Sequence, residues 1–163
     1  MAQVFLICGK ICSGKSYYAE KIRDEKNAVI LSTDEATKLL IDNQQGEFYN
    51  EFAKRVNLYL RRKAVEIAKA GTNVILDWGF WTKSDREEIR KFLSDNKVQS
   101  FMLYIDISDT DWERNIKERN ERIEQGEGGS DFYVDEGLKN KVLSLFEIPT
   151  DEECNLVIQN SRE

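Results

Sequence analysis

At 163 residues the chain has room for one domain with a substantial core, and 40% apolar with 33% charged residues places it among globular chains, not disordered or membrane-spanning ones. Thirty acidic against 24 basic residues leave a net charge of −6, which weighs against a nucleic-acid partner without excluding it. With no histidine present, acid–base chemistry must fall to Asp, Glu, Lys, Tyr or Cys, and no His-ligated metal is available.

Residues 4–8, Val-Phe-Leu-Ile-Cys, form a short β-branched run that reads as a first strand. Its flanks lack the basic stretch and cleavage site of a secretory signal, and three cysteines without disulfide spacing fit a reducing, cytoplasmic setting. The strand runs directly into Gly9-Lys10-Ile11-Cys12-Ser13-Gly14-Lys15-Ser16, which fits G-x-x-x-x-G-K-[ST] and opens a predicted helix. The residue types have physical reasons. Glycines let backbone N–H groups turn around phosphate oxygens, and the helix start adds unpaired donors and the positive end of its dipole. Lys15 is placed to reach the β- and γ-phosphates and Ser16 to ligate Mg²⁺, so ATP and Mg²⁺ are the predicted cofactors. Gly9 to Ser16, with Tyr17, make the nucleotide-binding set. Packing is the expected role of Cys8 and Cys12.

Further strands are expected at 28–32, 74–77, 101–105 and 156–158, and their alternation with helix-period segments gives a parallel sheet with helices on both faces. A helix is expected over 35–41, with an N-cap as the competing reading for Asp34. One over 47–70 should bury Phe52, Val56, Tyr59, Leu60, Ala64 and Ile67 before Gly71 stops it. One over 83–95 should open with a Ser84–Glu87 capping box and bury Ile89, Phe92 and Leu93. A helix from Asp109 leads into a glycine-rich, mobile loop at 125–130, and a last helix over 135–146 turns Leu138, Val142 and Leu145 inward.

In open α/β sheets ligands bind beyond the carboxyl ends of the strands, which brings Asp34 and Asp77 to the γ-phosphate edge. Two tasks are available there: holding Mg²⁺, directly or through water, and taking the proton of an attacking hydroxyl. Asp34 is assigned as base and Asp77 to the metal; exchange of the two roles, and plain duty as cap or turn residue, stay open. Trp78 and Arg86 are candidates for contacting the acceptor, against core packing for the ring and a solvated surface for the arginine. Arg114, Lys117, Arg119 and Arg122 precede the glycine-rich loop. Arg119 and Arg122 share a helix face and suit a transferring phosphoryl group, so residues 114–133 are expected to form a helical lid. Surface pairs, Glu113 with Lys117 and Glu118 with Arg122, are the competing reading.

On the phosphate loop, Ser32-Thr33-Asp34, Leu76-Asp77-Trp78-Gly79-Phe80 and the Arg114/Arg119/Arg122 segment, the chain resembles the small P-loop kinases related to adenylate kinase, the polynucleotide 5′-kinase domain, chloramphenicol phosphotransferase and zeta toxins. The resemblance extends over nearly the whole chain. It implies a three-layer αβα P-loop fold with a five-stranded parallel sheet in the order 2-3-1-4-5 and residues 1–163 as one kinase domain. It also implies the role of base for Asp34, help in holding Mg²⁺ for Asp77, and phosphate contacts for Arg119 and Arg122. Leu76 to Phe80 is similar to the L-D-G-F-P-R motif of nucleoside monophosphate kinases, with Trp78 inserted and Pro-Arg absent. Phe146-Glu147-Ile148-Pro149 resembles the segment that borders adenine. The expected function is transfer of the γ-phosphate of ATP to a hydroxyl of a small-molecule acceptor. A polynucleotide 5′-hydroxyl kinase and a zeta-type nucleotide-sugar kinase are alternatives in acceptor, and a nucleotide-binding switch or ATPase is the alternative in class. The sequence names neither acceptor nor oligomeric state.

Overall fold

A computed structural model describes residues 1–41, 48–129 and 131–161. The elements run β1 (Gln3–Cys8), α1 (Lys15–Lys26), β2 (Ala28–Ser32), α2 (Thr33–Ile41), α3 (Tyr49–Lys69), β3 (Asn73–Gly79), α4 (Lys83–Asp95), β4 (Gln99–Asp106), α5 (Asp109–Glu124), α6 (Glu136–Leu145) and β5 (Leu156–Gln159). The strands are parallel in the order β2-β3-β1-β4-β5, the order that the resemblance implies. This is a three-layer P-loop architecture.

β1 is a continuous apolar run because it is central and covered on both faces. Successive side chains alternate between two cores. Phe5, Ile7, Ile75, Leu103 and Ile105 pack with Ala19 and Ile22 of α1. Val4, Leu6, Cys8, Val74, Leu76 and Met102 pack with Ala64 and Ala68 of α3 and with Ile89 and Leu93 of α4. Each fully buried aliphatic chain of this kind contributes about 1.5–3 kcal/mol. A third cluster joins Cys12 of the phosphate loop to Trp112 and Ile116 of α5 and to Val142 of α6, so the loop rests on a core of its own.

Several local expectations change. α2 begins at Thr33, which puts Asp34 inside its first turn; Ser32 Oγ instead accepts from the Glu35 N–H at 3.2 Å. In α3, burial starts at Val56; Phe52 is exposed one turn before the buried stripe of Val56, Leu60 and Ala64, and Tyr59 is exposed to one side of it. The expected start of that helix, Glu47, lies outside the described residues, as does Ser130 of the glycine-rich loop. α4 starts at Lys83, so Thr82 is its N-cap and the capping box closes on Asp85, not between Ser84 and Glu87. In α6, Val142 is buried and Leu138 packs beside it, but Leu145, at the helix end, is exposed.

Candidate active site

The start of α1 differs from those of α4, α5 and α6. α4, α5 and α6 open with Thr82, Ser108 and Asp135, each accepting a backbone N–H, and each carries acidic residues in its first turn. α1 has Gly14 at its N-cap with φ 97°, no side-chain cap and no acidic residue in the first turn. Its first-turn N–H groups and positive dipole end are thus left to a ligand, and the dipole favours an anion there. A Cβ on Gly14 would sit 2.4 Å from Asn160 Nδ2, and the left-handed φ adds strain. The space in front is a cleft of about 550 Å³ whose lining includes Gly14, Lys15, Ser16, Tyr17, Arg119 and Arg122. Cys12 also lines it, while Ser13 is fully buried behind it. Gly9 backs the loop against β3, its N–H donating to the Gly79 carbonyl at 3.0 Å. Lys15 Nζ donates to the Lys10 carbonyl at 2.9 Å.

Parallel pairing levels the strand ends: Ser32 of β2 and Ile7 of β1 both stand opposite Asp77 of β3. Asp77 Oδ2 accepts from Ser16 Oγ at 2.9 Å, which sets a hydroxyl and a carboxylate where a phosphate-bound Mg²⁺ could share them. Among the described residues no group of three or more Cys, Asp or Glu is placed to hold a metal. A hydroxyl and one carboxylate suit Mg²⁺, which keeps most of its shell as water and phosphate oxygens.

Asp34 faces the same edge. Desolvation of its carboxyl raises its pKa, Lys15 pulls it down and the Asp77 charge pushes it up again. The Asp34 residue as a whole keeps solvent contact. A carboxylate pushed upward is a stronger base in its ionised form. Tyr49, at the start of α3, feels the charge of Asp34, which together with burial raises its own pKa. No sequence signal singles out Tyr49, because nothing local links it to Asp34.

The cations of α5 are arranged as follows. Arg119 and Arg122 both pair with Asp131, at 3.7 and 3.3 Å, and Lys38 of α2 donates to the carbonyls of Gly129 and Asp131. Arg114 pairs with Asp111 and Lys117 with Glu121. The expected Glu113–Lys117 pair is replaced by Glu113 with Lys139 of α6. Asp131 and Lys38 were not foreseen; Asp131 lines the cleft beside the two arginines, and Lys38 of α2 reaches its carbonyl from another element.

On the other side of Asp77, Trp78 Nε1 donates to the Leu31 carbonyl at 2.9 Å, and its ring lies 5.7 Å from that of Phe80. Trp78 shares a groove of about 370 Å³ with Asn57, Arg61, Phe80 and Trp81. Arg86 does not reach an acceptor. It is 1% exposed, and its guanidinium is spent on Glu153 at 2.8 Å and on the carbonyls of Phe80 and Glu147 at 3.0 and 2.9 Å. Arg86 therefore shapes the turn after β3, where Gly79 and Phe80 both have positive φ. Burial opposes ionisation of Glu153, but hydrogen bonds from Arg86 and Thr150 outweigh it and hold its pKa down at about 2. Residues 146–149 dock on this same turn, through Glu147 N–H to Trp81 and Glu147 Oε2 from the Lys83 N–H, and Phe146 packs on the cluster that holds Cys12 of the phosphate loop. Asn160, just after β5, donates to the loop at the Ser13 carbonyl.

A search of curated proteins finds no match. Among solved structures, the chain is similar to an APS kinase from Mycobacterium tuberculosis in complex with AMPPNP and APS, at 18% identity and a TM-score of 0.69, covering 99% of this chain and 90% of that one. A sugar kinase from Janibacter sp. HTCC2649 shares 15% identity at a TM-score of 0.64, over 98% and 86%. A chain of the Pnkp1/Rnl/Hen1 RNA repair complex shares 19% at 0.69, over 88% and 43%. At these identities the likeness is one of fold, and the fold is kinase-like. The family assignment comes from the chain itself: an AAA domain model (AAA_33) matches residues 4–148, and the protein belongs to that family.

Proposed function

We propose that the protein is an ATP-dependent phosphotransferase, moving the γ-phosphoryl group of ATP to a hydroxyl of a small-molecule acceptor. The observation that carries this reading is the meeting, at one sheet edge, of an uncapped helix start with Lys15, the Ser16–Asp77 pair and the up-shifted carboxylate of Asp34. Kinases acting on small molecules among the structural neighbours support it.

In this reading the loop N–H groups and Lys15 hold the β- and γ-phosphates. Ser16 and Asp77 would hold Mg²⁺, which when bound neutralises charge on those oxygens. Asp34 accepts the proton of the acceptor hydroxyl as that oxygen bonds to the γ-phosphorus and the bond to the β–γ bridging oxygen breaks, releasing ADP. Arg119 and Arg122 stabilise the charge on the transferring group, and residues 114–133 act as the lid that carries them. The acceptor lies beyond Asp77, in the groove that begins at Trp78.

The test is ADP release from Mg-ATP with pools of sugars, nucleosides, nucleotide sugars, alcohol-bearing drugs and 5′-hydroxyl oligonucleotides, with Lys15→Ala as control. A Lys15-dependent rise with one small-molecule pool is expected. A rise only with oligonucleotides would replace the acceptor class, and equal slow release in every pool would make the protein an ATPase or switch.

A further inference from the structure

The phosphate loop has no free run of carbonyls. The Lys10 carbonyl accepts from Lys15 Nζ and from the Ser13 N–H at 3.1 Å, and the Gly14 carbonyl accepts from the Tyr18 N–H at 3.3 Å within α1. The three carbonyls between them are taken by side chains from distant elements. Trp112 Nε1 donates to Ile11 at 2.7 Å, Asn115 Nδ2 to Cys12 at 2.9 Å, and Asn160 Nδ2 to Ser13 at 2.8 Å.

A trans peptide holds its N–H opposite to its C=O. Fixing the carbonyl of residue 11 outward on Trp112 therefore turns the Cys12 N–H the other way, and fixing that of residue 13 on Asn160 does the same for the Gly14 N–H. The middle peptide, held by Asn115, has its Ser13 N–H closed on Lys10, which locks the turn that Cys12 makes at φ 61°. The donor assignment of Asn115 is chemically forced: the flipped amide would set Oδ1 against the Cys12 oxygen. The cost is visible, since Asn115 Oδ1 is buried with no partner, a penalty that a bond to the loop must offset.

We propose that Trp112, Asn115 and Asn160 are positioning residues of the phosphate loop, pinning its peptides so that the amide donors face the triphosphate before it arrives. The proposal rests on the reading that this loop holds the phosphates of the nucleotide. Preorganised donors act without reorganisation at the moment of binding, so loosening them should weaken phosphate binding and not acceptor binding.

The experiment is calorimetric titration of the full chain with tripolyphosphate and with ADP, for the wild type, Asn115→Ala, Asn160→Ala, the isosteric Asn160→Asp, and the double alanine variant, alongside thermal unfolding. Each single alanine is expected to weaken tripolyphosphate about tenfold, the size of one hydrogen bond of about 1.4 kcal/mol, and the double variant about a hundredfold. Asn160→Asp keeps the shape, loses the donor and adds a repelled oxygen, so it should lose more than the alanine. With a known acceptor, its KM should stay within about twofold while that for ATP rises. Variants that unfold at lower temperature but bind tripolyphosphate like the wild type would overturn the proposal alone. A wild-type chain that binds neither ligand would overturn the nucleotide reading and this one with it.

Discussion

The two sides of the Asp34–Asp77 edge are built differently. On the nucleotide side, carbonyls 10–14 are all engaged and a hydrophobic cluster sits beneath the loop. On the proposed acceptor side, the groove at Trp78 is bounded by long or exposed side chains of α3 and α4 such as Arg61 and Asp85. A triphosphate is the same ligand in every such enzyme, so its site repays rigid construction. In the proposed reading the other site would have to match one particular hydroxyl compound, and its shape follows from side chains that no general rule prescribes.

Four substitutions would break or sharpen this contrast. Asp34→Asn sits on the boundary and should have the largest effect, lowering kcat by ~10²–10⁴ with ADP affinity unchanged in titration. Because burial and Asp77 raise the Asp34 pKa, the acidic limb of the wild-type rate profile should lie above the ordinary carboxylate range. Activity falls as pH drops through that pKa and the base is protonated; a limb that persists in Asp34→Asn would move the role of base elsewhere.

Arg86→Ala attacks the support of the acceptor side. It leaves Glu153 buried and unpaired, so a loss of about 3–5 kcal/mol in urea unfolding is expected. The same pair gives a pH signature. Glu153 has its folded pKa depressed from 4.5 to about 2, so its contribution is complete above pH 4.5 and lost as pH falls toward 2. Wild-type stability should decline across that window and that of Arg86→Ala should decline less.

Trp78→Ala should raise the acceptor KM about tenfold, the worth of one aromatic contact of about 1–1.5 kcal/mol, and leave the KM for ATP alone. Equal effects on both would mean that the groove is not the acceptor side. The smallest effect is expected for Asp131→Asn. Its carboxylate occupies Arg119 and Arg122, so its removal should tighten ATP by about two- to fivefold, in keeping with exposed ion pairs of ~0.2–1 kcal/mol. Weaker binding would show that Asp131 orients the arginines and does not compete for them.

Much of the nucleotide side was legible in the residues because its constraints are local. The strand, the glycine spacing and the helix start lie within residues 3–26, and backbone geometry alone dictates their order. The sheet order followed from a resemblance carried by the phosphate loop and a few short motifs, and the strands stand in that order. What escaped the sequence was non-local. Arg86 looked like a solvent-facing or ligand-facing arginine because Glu153 lies 67 residues away. Asp34 looked like a cap, but Ser32 supplied the oxygen two positions earlier. Asn115, Asn160 and Asp131 are common polar residues with no spacing rule, and only tertiary packing gives them a task.

The three donors on the loop carbonyls lie 101, 103 and 147 positions further along the chain. A ribosome therefore delivers the motif early and its fasteners late, and domains take shape in that N-to-C direction. Until β5 docks, the loop has its letters but not its stiffness, and a nucleotide should grip the nascent or partly unravelled chain only weakly. Ligand would then favour the finished fold over every unfinished one by mass action, so cellular ATP would serve as a late quality gate for the enzyme that consumes it.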